Sequence, residues 1–308
     1  MKRKFLLTKV LMLAAAFMSL GTAAGSAAGV ERPKLVVGIV VDQMRWDYLY
    51  RYADLYGENG FKRLMREGYN CENTMINYVP TVTAVGHTSI FTGSVPAIHG
   101  IAGNDFLLNG KMTYCCTDTT VRSVGSNSDA GQMSPRNMLA TTIGDELKIA
   151  TDFKAKVVGV SLKDRASILP AGHSADGAYW IDYSTGTFIT STYYMDELPG
   201  WVADFNKKYG GKSEREIAYS SYGNMITAEM AKAAIGGEAL GQDSVTDMLT
   251  VSFSCTDKIG HEYATHSREI RDIFVDLDSR LADFFAYLDD KVGRGQYLVF
   301  LTADHGAA

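Results

Sequence analysis

The 308-residue sequence is poor in cysteine and proline and has no surplus of basic residues. Its cysteines form no CxxC pair, so a zinc site built from thiolates has no support. Six prolines among 46% hydrophobic and 21% charged residues exclude a collagen-like, disordered or coiled-coil chain. The even number of cysteines is compatible with two disulfides in an exported protein, although the sequence leaves the pairing open; they are Cys71, Cys115, Cys116 and Cys255.

Basic residues are fewer than acidic ones, 30 against 35, which gives a formal net charge of -5. The first 28 residues hold four of the basic residues and no acidic one, so a chain cleaved there would carry a net charge of -9. Such a chain has no positive surplus to neutralise a phosphate backbone, and we expect no nucleic-acid polymer as a partner. Any anion that this protein binds must be held by a few well-placed cations or metal ions.

The N-terminal residues have the pattern of an export signal. The basic residues Lys2-Arg3-Lys4 precede an apolar stretch from Leu6 to Leu20, which Lys9 interrupts, and small residues follow. This pattern predicts a signal peptide over residues 1–28, cleaved after Ala24 or Ala28, and hence a periplasmic or secreted protein. No later apolar run is long enough to span a bilayer and no cysteine follows the cleavage region, so we expect no stable membrane anchor.

Four apolar runs rich in β-branched residues predict buried strands at residues 34–42, 157–163, 248–257 and 297–304. Unbroken runs are typical of strands covered on both faces, so we expect an α/β fold with a mostly parallel sheet flanked by helices. Helices are predicted over residues 61–67 and 137–149. A third, amphipathic helix is predicted to begin after its N-cap Ser267, because apolar residues then recur at steps of three and four as far as Leu288.

One catalytic domain is predicted over residues 29–308, with two surface insertions. Residues 105–135 are rich in Ser, Asn, Thr and Gly, and residues 176–225 are rich in Tyr, Ser and Gly. We expect both segments to lie over the edge of the sheet. The sequence ends four residues after the fourth apolar run, where a doubly wound sheet would continue with a covering helix, so we expect the domain to be incomplete at its C-terminus.

Charged side chains stand at or just beyond the ends of the four apolar runs. Asp42, Asp257 and Asp304 end three of them, and the other ends in Lys163, with Arg165 two residues later. The carboxyl ends of parallel strands lie at one edge of a sheet, where ligands bind. We therefore expect these three acids and two cations to converge on one crevice.

Two histidines accompany the aspartates, because His261 follows Asp257 by four residues and His305 follows Asp304 directly. Carboxylate oxygen and imidazole nitrogen together suit Zn²⁺. A single aspartate at a strand end is more often a cap or turn residue, and it is the shared position that favours a metal site. Three aspartates and two histidines exceed what one catalytic zinc takes from protein, so we predict two metal ions, an arrangement that commonly serves phosphoryl transfer.

A nucleophile for such a reaction is predicted between Pro80 and Gly93, where an extended stretch leads into a helix. Thr83 at the helix N-terminus would have backbone N–H groups and the positive end of the helix dipole close by, which favour an anionic oxygen. A hydroxyl beside Zn²⁺ loses its proton more readily than in water. The residues alone leave Thr81, Thr88 and Ser89 as alternatives, and a plain helix cap as another role for Thr83.

Six segments match a known family in order and spacing. They are Val41-Asp42-Gln43-Met44, Pro80 to His87, Pro96 to Gly100 with Asn104, Lys163-Asp-Arg165, Asp257 to His261, and Leu301 to Gly306. On these segments the chain resembles the alkaline phosphatase superfamily from about residue 33 to the end. Within it, the chain is most similar to the PafA-type bacterial alkaline phosphatases, monoesterases related to the type I phosphodiesterases and nucleotide pyrophosphatases.

The resemblance implies a role for each matching residue. Thr83 matches the nucleophile, which becomes a phosphothreonine, and Asn104 matches a side chain that binds a phosphoryl oxygen. Lys163 and Arg165 match the pair that holds the remaining oxygens. The ligands of the zinc beside the nucleophile match Asp42, Asp304 and His305, and two ligands of the second zinc match Asp257 and His261.

A third ligand of the second zinc, a histidine in the family, would lie beyond residue 308. The histidines of this sequence that could stand in for it do not have the matching position; they are His87, His99, His173 and His266. We therefore expect that ligand to be missing from this chain.

The resemblance implies an exported, metal-dependent hydrolase of small phosphate monoesters. A monoester is a dianion with three free oxygens on phosphorus, and Lys163 and Arg165 supply charge and donors for the oxygen that a diester lacks. Two alternatives stay open: a phosphodiesterase or nucleotide pyrophosphatase on the same site, and a truncated, inactive fragment. A sulfatase is not supported because no Cys-x-Pro-x-Arg occurs. The sequence leaves the oligomeric state and the preferred leaving group open.

Overall fold

A computed structural model describes residues 32–307 of the chain. The predicted signal peptide, residues 1–28, lies outside the described residues. Within them, no helix combines the length and the apolar character that a membrane span requires. All four cysteines are free thiols, and Cys71 is exposed whereas the other three are buried.

The strands of the described residues form one large sheet and one hairpin. The large sheet has the strand order β4-β7-β6-β5-β8-β1-β9. Five neighbouring strands, β6, β5, β8, β1 and β9, are parallel. At the other edge β7 pairs antiparallel with β6, and β4 pairs antiparallel with β7. The mostly parallel sheet predicted from the sequence is thereby confirmed. The strands are β1 (Leu35–Val41), β2 (Asp105–Leu108), β3 (Lys111–Tyr114), β4 (Ser123–Val124), β5 (Val157–Ser161), β6 (Gly177–Asp182), β7 (Thr187–Ser191), β8 (Asp247–Phe253) and β9 (Tyr297–Thr302).

Helices cover the sheet on both faces, which explains why its central strands are apolar throughout. Every residue of β5 and β8 is buried, as a strand packed on both sides requires. The helices are α1 (Tyr48–Arg51), α2 (Phe61–Glu67), α3 (Thr83–Thr92), α4 (Pro96–His99), α5 (Ile143–Ala150), α6 (Asp164–Ala171), α7 (Gly200–Tyr209), α8 (Glu214–Ala218), α9 (Ser221–Gly237), α10 (Cys255–Glu262) and α11 (Arg268–Leu288).

Central strand β1 can be covered closely because it contains Gly38. A Cβ atom at this position would lie 2.6 Å from the ring of Phe300 on β9 and 2.9 Å from the ring of Phe91 on α3. A side chain here would therefore displace the rings of Phe300 and Phe91, which pack over the glycine.

The predicted helices are found, with one change in position. Helix α2 spans the predicted residues, and α11 begins after Ser267, whose hydroxyl accepts a hydrogen bond from the N–H of Ile270. The helix predicted over residues 137–149 instead begins at Ile143. Thr142 and Asp145 form a capping box there, each side chain accepting the other's backbone N–H, and this fixes the start of the helix.

The two predicted insertions differ in where they lie. Residues 105–114 form the β2–β3 hairpin, which is separate from the large sheet. Residues 176–225 do not simply lie over the sheet edge as expected, because β6 pairs in parallel with β5 and β7 continues the sheet beyond it. The domain limits and the assignment of both segments as insertions stay predictions.

The strand register brings four strand ends together. Val41 of β1 pairs with Phe253 of β8, Ser161 of β5 with Ser252 of β8, and Val40 of β1 with Thr302 of β9. The carboxyl ends of β1, β5, β8 and β9 therefore lie side by side. We refer to this line of strand ends as the carboxyl edge.

Candidate active site

Three charged side chains meet at the carboxyl edge. Asp42 follows β1 directly and is fully buried, and Lys163 follows β5 by two residues and is also buried. The ammonium group of Lys163 donates hydrogen bonds to Oδ2 of Asp42 (2.7 Å) and to Oδ2 of Asp257 (2.6 Å). The structure therefore brings these side chains together, as predicted from the strand ends.

Asp257 reaches this edge from a helix, not from a strand end as we predicted. Strand β8 stops at Phe253, and Asp257 lies in the first turn of α10. His261 is one turn later on the same helix face, with its Nε2 3.1 Å from Oδ1 of Asp257. The side chain of His261 is 70% exposed, so this pair lies at the mouth of the site. We call Asp257 and His261 the outer pair.

Asp42, Asp304 and His305 form a compact buried group, here called the inner cluster. One potential ligand atom of each residue lies within 4.8 Å of those of the other two. Nε2 of His305 is 3.4 Å from Oδ1 of Asp42 and 3.6 Å from Oδ2 of Asp304. Nδ1 of His305 is 3.0 Å from the carbonyl oxygen of Gly306, an arrangement that places the proton on Nδ1 and leaves Nε2 directed at the carboxylates.

Two carboxylate oxygens of the inner cluster make no well-formed hydrogen bond among the described residues, although one of them, Oδ2 of Asp304, lies 3.1 Å from Nδ1 of His87. They are Oδ1 of Asp42 and Oδ2 of Asp304, and both are buried. Buried carboxylate oxygens are costly unless a cation or a donor satisfies them. Two such oxygens beside an imidazole nitrogen form a donor set that suits Zn²⁺, so the residues present fit a metal ion here.

The ionisation of the inner cluster follows from its charges. Burial disfavours the charged form of Asp42, but the Lys163 ammonium and His305 hold the pKa of that carboxyl well below its ordinary value. Burial and the neighbouring Asp42 raise the pKa of Asp304. Burial also disfavours a charged His305, but Asp42 and Asp304 outweigh it and raise the pKa of the imidazole to about 9. Asp42 is thus the anionic centre of the cluster, and His305 and Lys163 are the cations that compensate its charge.

Thr83 is the first residue of α3 and is almost fully buried. Its carbonyl oxygen lies 2.9 Å from Nδ1 of His87, and the same nitrogen is 3.1 Å from Oδ2 of Asp304. Gly86 packs so closely on the backbone of Asp304 that a Cβ atom could not be accommodated. The N-terminus of α3 therefore lies against the inner cluster.

The alternative hydroxyls near Thr83 are engaged elsewhere or exposed. The hydroxyl of Thr88 donates to the carbonyl oxygen of Ala84 (2.7 Å), and that of Ser89 lies 3.0 Å from Nε2 of His99. Thr81 is exposed ahead of the helix. These contacts favour Thr83 as the nucleophile, an assignment that stays a prediction.

Asn104 lies beside the same helix N-terminus. Its amide oxygen accepts a hydrogen bond from the backbone N–H of Ala84 (2.9 Å), the residue that follows Thr83. The side chain is thereby oriented with respect to α3, and its amide nitrogen is the group left to donate. Its predicted role, binding a phosphoryl oxygen, stays a prediction.

Arg165 lies in the first turn of α6 and has partners other than those of Lys163. Its Nη1 donates to the hydroxyl of Tyr114 (3.0 Å), which in turn donates to Oδ1 of Asp164 (2.6 Å). Nε of Arg165 is buried and has no hydrogen-bond partner among the described residues. The two predicted phosphate-binding cations are thus held differently, Lys163 by carboxylates and Arg165 by a phenol.

Sequence reasoning assigned no role to Gln43, His87 or Tyr114, although Gln43 and His87 stand inside the quoted segments. Gln43 has a left-handed backbone (φ 62°), which few non-glycine residues adopt and which no periodicity reveals. The only signal available for Gln43 was its place directly after Asp42. The contact of Tyr114 joins residues 51 positions apart and has no sequence signature.

None of the four other histidines joins the outer pair. His87 is buried, with Nε2 2.7 Å from the hydroxyl of Ser252, and His99 contacts Ser89. Nε2 of His266 lies 3.8 Å from Asp47, and the backbone carbonyl of His173 accepts from Tyr193. Among the described residues, the one group of three potential metal ligands is Asp42, Asp304 and His305, so no histidine completes such a group with Asp257 and His261.

A parallel α/β sheet with buried carboxylates and a histidine at its carboxyl edge is the architecture expected from the sequence. Comparison with known proteins shows the family to which this chain belongs. The sequence profile described as type I phosphodiesterase / nucleotide pyrophosphatase matches residues 36–308, and the chain belongs to this family. The resemblance found from the six segments is thereby confirmed.

Three curated relatives are similar over nine tenths of the chain. Alkaline phosphatase PafA of Elizabethkingia meningoseptica is 52% identical, over 91% of this chain and 61% of that protein. A protein of Myroides odoratus named calcium-transporting ATPase is 49% identical, again over 91% and 61%. Alkaline phosphatase PhoV of Synechococcus elongatus is 48% identical, over 90% and 60%. The chain thus spans about three fifths of the length of these relatives.

The fold is also shared with a solved structure. The crystal structure of wild-type alkaline phosphatase PafA superposes with a TM-score of 0.87 at 52% identity, covering 90% of this chain and 63% of that chain. The predicted fold class, a mostly parallel sheet flanked by helices as in alkaline phosphatases, is therefore confirmed.

Proposed function

We propose that this protein is an exported, metal-dependent hydrolase of small phosphate monoesters, with Thr83 as its nucleophile. The observation that carries the proposal is the position of Thr83. It begins a helix whose first turn lies against the inner cluster, where Nδ1 of His87 contacts both the carbonyl of Thr83 and Oδ2 of Asp304. This position would bring the Thr83 hydroxyl and the helix N-terminus close to a cation held by the inner cluster, as in-line attack on a phosphate requires.

Two zinc ions are the proposed cofactors. Asp42, Asp304 and His305 would hold the ion beside Thr83, and Asp257 and His261 would supply ligands for the second. When bound, zinc supplies positive charge that lowers the pKa of a nearby hydroxyl and stabilises charge on the transferring phosphoryl group. The unsatisfied oxygens of Asp42 and Asp304 support the first site.

Thr83 and Asn104 would act directly on the substrate. The Thr83 hydroxyl would lose its proton to solvent and bond to phosphorus while the bond to the leaving oxygen breaks; that oxygen takes the electron pair and a proton from water. A water molecule would then bond to phosphorus and break the bond to Thr83, which releases phosphate and restores the hydroxyl. The dipole of α3 favours negative charge at Thr83 throughout. Asn104 would donate from its amide nitrogen to a phosphoryl oxygen, because its amide oxygen is already bonded to Ala84.

Lys163 and Arg165 account for a preference for monoesters. A monoester presents an additional anionic oxygen compared with a diester, and two cations at the carboxyl edge stabilise that charge. Lys163 is buried between Asp42 and Asp257, so its charge lies between the inner cluster and the outer pair. Arg165 lies on α6, and its guanidinium is held by a hydrogen bond to the hydroxyl of Tyr114.

Similar proteins support the same assignment. Two relatives near 50% identity are named alkaline phosphatases. A crystallised PafA variant has one threonine, one asparagine, one lysine and one arginine replaced, the residue types that we assign to the reaction here. The pattern of residues 1–28 supports export to the periplasm or the medium.

Replacing Thr83 with alanine tests the nucleophile. Turnover of an aryl phosphate monoester by Thr83→Ala is expected to fall by at least about 10³-fold, because the oxygen that bonds to phosphorus is gone. Zinc content, measured by atomic absorption, is expected to persist because the carboxylates and His305 remain. Thr81→Ala is the matched control, since Thr81 is exposed two residues away and should retain full activity.

Activity that survives in Thr83→Ala would contradict the assignment of the nucleophile. A wild-type chain that binds zinc but turns over no phosphate ester would contradict the proposed activity and would favour the inactive fragment.

A phosphodiesterase or nucleotide pyrophosphatase is the second candidate, and the description of the family favours it. The wild-type protein distinguishes the two functions through its kcat/KM values for an aryl monoester and for the corresponding diester. A higher value for the monoester is expected because of Lys163 and Arg165. A higher value for the diester would establish the second candidate instead.

A further inference from the structure

The base of the β2–β3 hairpin is flanked by Asn104, a candidate phosphate-binding residue, and by Tyr114, which contacts Arg165. Asn104 precedes β2, and Tyr114 ends β3. Asp105 pairs with Tyr114 in the hairpin, and the N–H of Cys115 donates to the carbonyl oxygen of Asn104 (2.8 Å). The hairpin therefore holds Asn104 and Tyr114 at a fixed separation next to the site.

The hydroxyl of Tyr114 stands between a cation and an anion of α6. It accepts from Nη1 of Arg165 (3.0 Å) and donates to Oδ1 of Asp164 (2.6 Å). Nη1 of Arg165 is 3.9 Å from the same carboxylate oxygen, too far for a direct hydrogen bond. Tyr114 thus bridges the guanidinium and the carboxylate, whose direct ion pair is long at 3.9 Å.

The phenol keeps its proton in this setting. Burial raises the pKa of Tyr114 far above its ordinary value, and the charge of Asp164 raises it further. A protonated phenol has one donor and free acceptor capacity, which are used by Asp164 and Arg165 respectively. Both hydrogen bonds therefore persist over the pH range in which a phosphatase would work.

We propose that Tyr114 is a positioning residue that sets the Arg165 guanidinium for the phosphoryl group and thereby contributes to the preference for monoesters. This inference rests on the proposed function. Its physical basis is that a hydrogen bond from a held cation to a phosphoryl oxygen depends on the angle and distance of the guanidinium plane. Without the phenol oxygen, Arg165 can turn toward Asp164 and pair with it.

Tyr114→Phe tests the proposal, because it removes the hydroxyl and keeps the ring. We expect kcat/KM for an aryl monoester to fall about tenfold, since a hydrogen bond to a charged group is lost. The value for the corresponding diester is expected to change by less than about threefold, since it depends less on Arg165. Inhibition by inorganic phosphate is expected to weaken by a factor similar to that for the monoester.

Tyr193→Phe is the matched control. The hydroxyl of Tyr193 also makes one well-formed hydrogen bond, but to the backbone carbonyl of His173 (3.0 Å), away from the candidate site. Both kinetic constants of this variant are expected to match those of the wild type. A general loss of packing in Tyr114→Phe would instead lower the monoester and diester values equally, which would overturn the proposal.

A double-mutant cycle separates a positioning role from an independent one. Adding Tyr114→Phe to Arg165→Ala should cause no further loss of monoester activity, because Tyr114 acts through Arg165. Losses that multiply would overturn the proposal. Should Tyr114→Phe fail to fold, Asp164→Ala removes the acceptor that orients the phenol and should lower the monoester-to-diester ratio; an unchanged ratio would overturn the proposal.

Failure of this inference can be distinguished from failure of the proposed function. If the wild type hydrolyses neither ester, binding of inorganic phosphate to the zinc-loaded protein, measured by calorimetry, still compares wild type with Tyr114→Phe. Equal phosphate affinities would overturn the role of Tyr114 alone. If the wild type is an active monoesterase and Tyr114→Phe is unaffected, only this inference fails.

Discussion

The side-chain amide nitrogen of Gln43 lies 3.0 Å from Oδ1 of Asp257 and donates a hydrogen bond to it. The backbone N–H of the same residue donates to Oδ1 of Asp304 (3.1 Å). Gln43 therefore links the two groups: its side chain contacts Asp257 of the outer pair, and its backbone contacts Asp304 of the inner cluster. Its left-handed backbone turns the chain so that both contacts are made by one residue.

Replacing Gln43 should weaken metal binding. In Gln43→Ala, Oδ1 of Asp257 loses the donor that orients it, and residues that orient metal ligands typically contribute about 10–100-fold in affinity. We expect zinc to bind about tenfold more weakly, with the larger effect at the site that includes Asp257. Competition with a chromophoric chelator, on protein depleted of metal and reloaded, measures this affinity.

A glutamine away from the site provides the control for this prediction. The amide of Gln132 bonds to Asp129 on the exposed surface, so Gln132→Ala should bind zinc as the wild type does. A Gln43→Ala protein with unchanged zinc affinity would show that the side chain of Gln43 is not needed to orient Asp257.

The sequence predicted which charged residues meet at the carboxyl edge, but it did not predict the element on which each of them lies. Asp42, Lys163 and Asp304 follow strands that share one edge, and the strand-end rule located them because apolar runs reveal parallel strands well. Asp257 was placed at a strand end because residues 248–257 form one nearly unbroken run of strand-compatible residues. Nothing in the periodicity of so short a segment marks the change to helix at Cys255.

Contacts between distant segments could not be predicted from local patterns. Gln43 meets Asp257 across 214 positions, and Tyr114 meets Arg165 across 51. Both depend on the final packing of loops and on backbone angles that only the folded chain defines. The error in the helix predicted to begin at residue 137 has a different, local cause: the capping box of Thr142 and Asp145 sets the start of the helix at Ile143.

The long helix α11 should contribute strongly to stability because its apolar face is buried. Leu277 is fully buried in the core that α11 shares with the sheet. Truncation to alanine removes buried methyl groups and leaves a cavity, so Leu277→Ala is expected to lower the free energy of unfolding by about 2–5 kcal/mol. Urea unfolding followed by circular dichroism measures the loss.

The same leucine-to-alanine change at an exposed position is the control. Leu107, on the hairpin, is 69% exposed, and Leu107→Ala is expected to change the free energy of unfolding by less than about 0.5 kcal/mol. If Leu277→Ala lowered the free energy of unfolding no more than Leu107→Ala does, α11 would not pack as described.

Asp118 should make the stability of residues 117–136 depend on pH. Its carboxylate accepts hydrogen bonds from the hydroxyls of Thr120 (2.6 Å) and Ser134 (2.7 Å) and from Nη1 of Arg136 (2.7 Å). Although burial favours the neutral form, these donors lower the pKa of Asp118 from an ordinary value of 3.8 to about 2. The carboxylate therefore stabilises the folded state above the ordinary value, and this stabilisation is lost as the pH falls toward about 2.

Asp118→Asn measures that contribution. The variant should be less stable than the wild type at pH 7, by an amount that shrinks steadily below about pH 4 as the wild-type carboxylate loses its advantage over the unfolded chain. Urea midpoints of both proteins between pH 3 and pH 7 test this, with Asp204→Asn as a control because Asp204 pairs only with Lys207 on the exposed surface. A difference in stability that stays constant over this range would show that the hydrogen bonds to Asp118 do not depend on its charge, and the residue would then act only through the shape of its side chain.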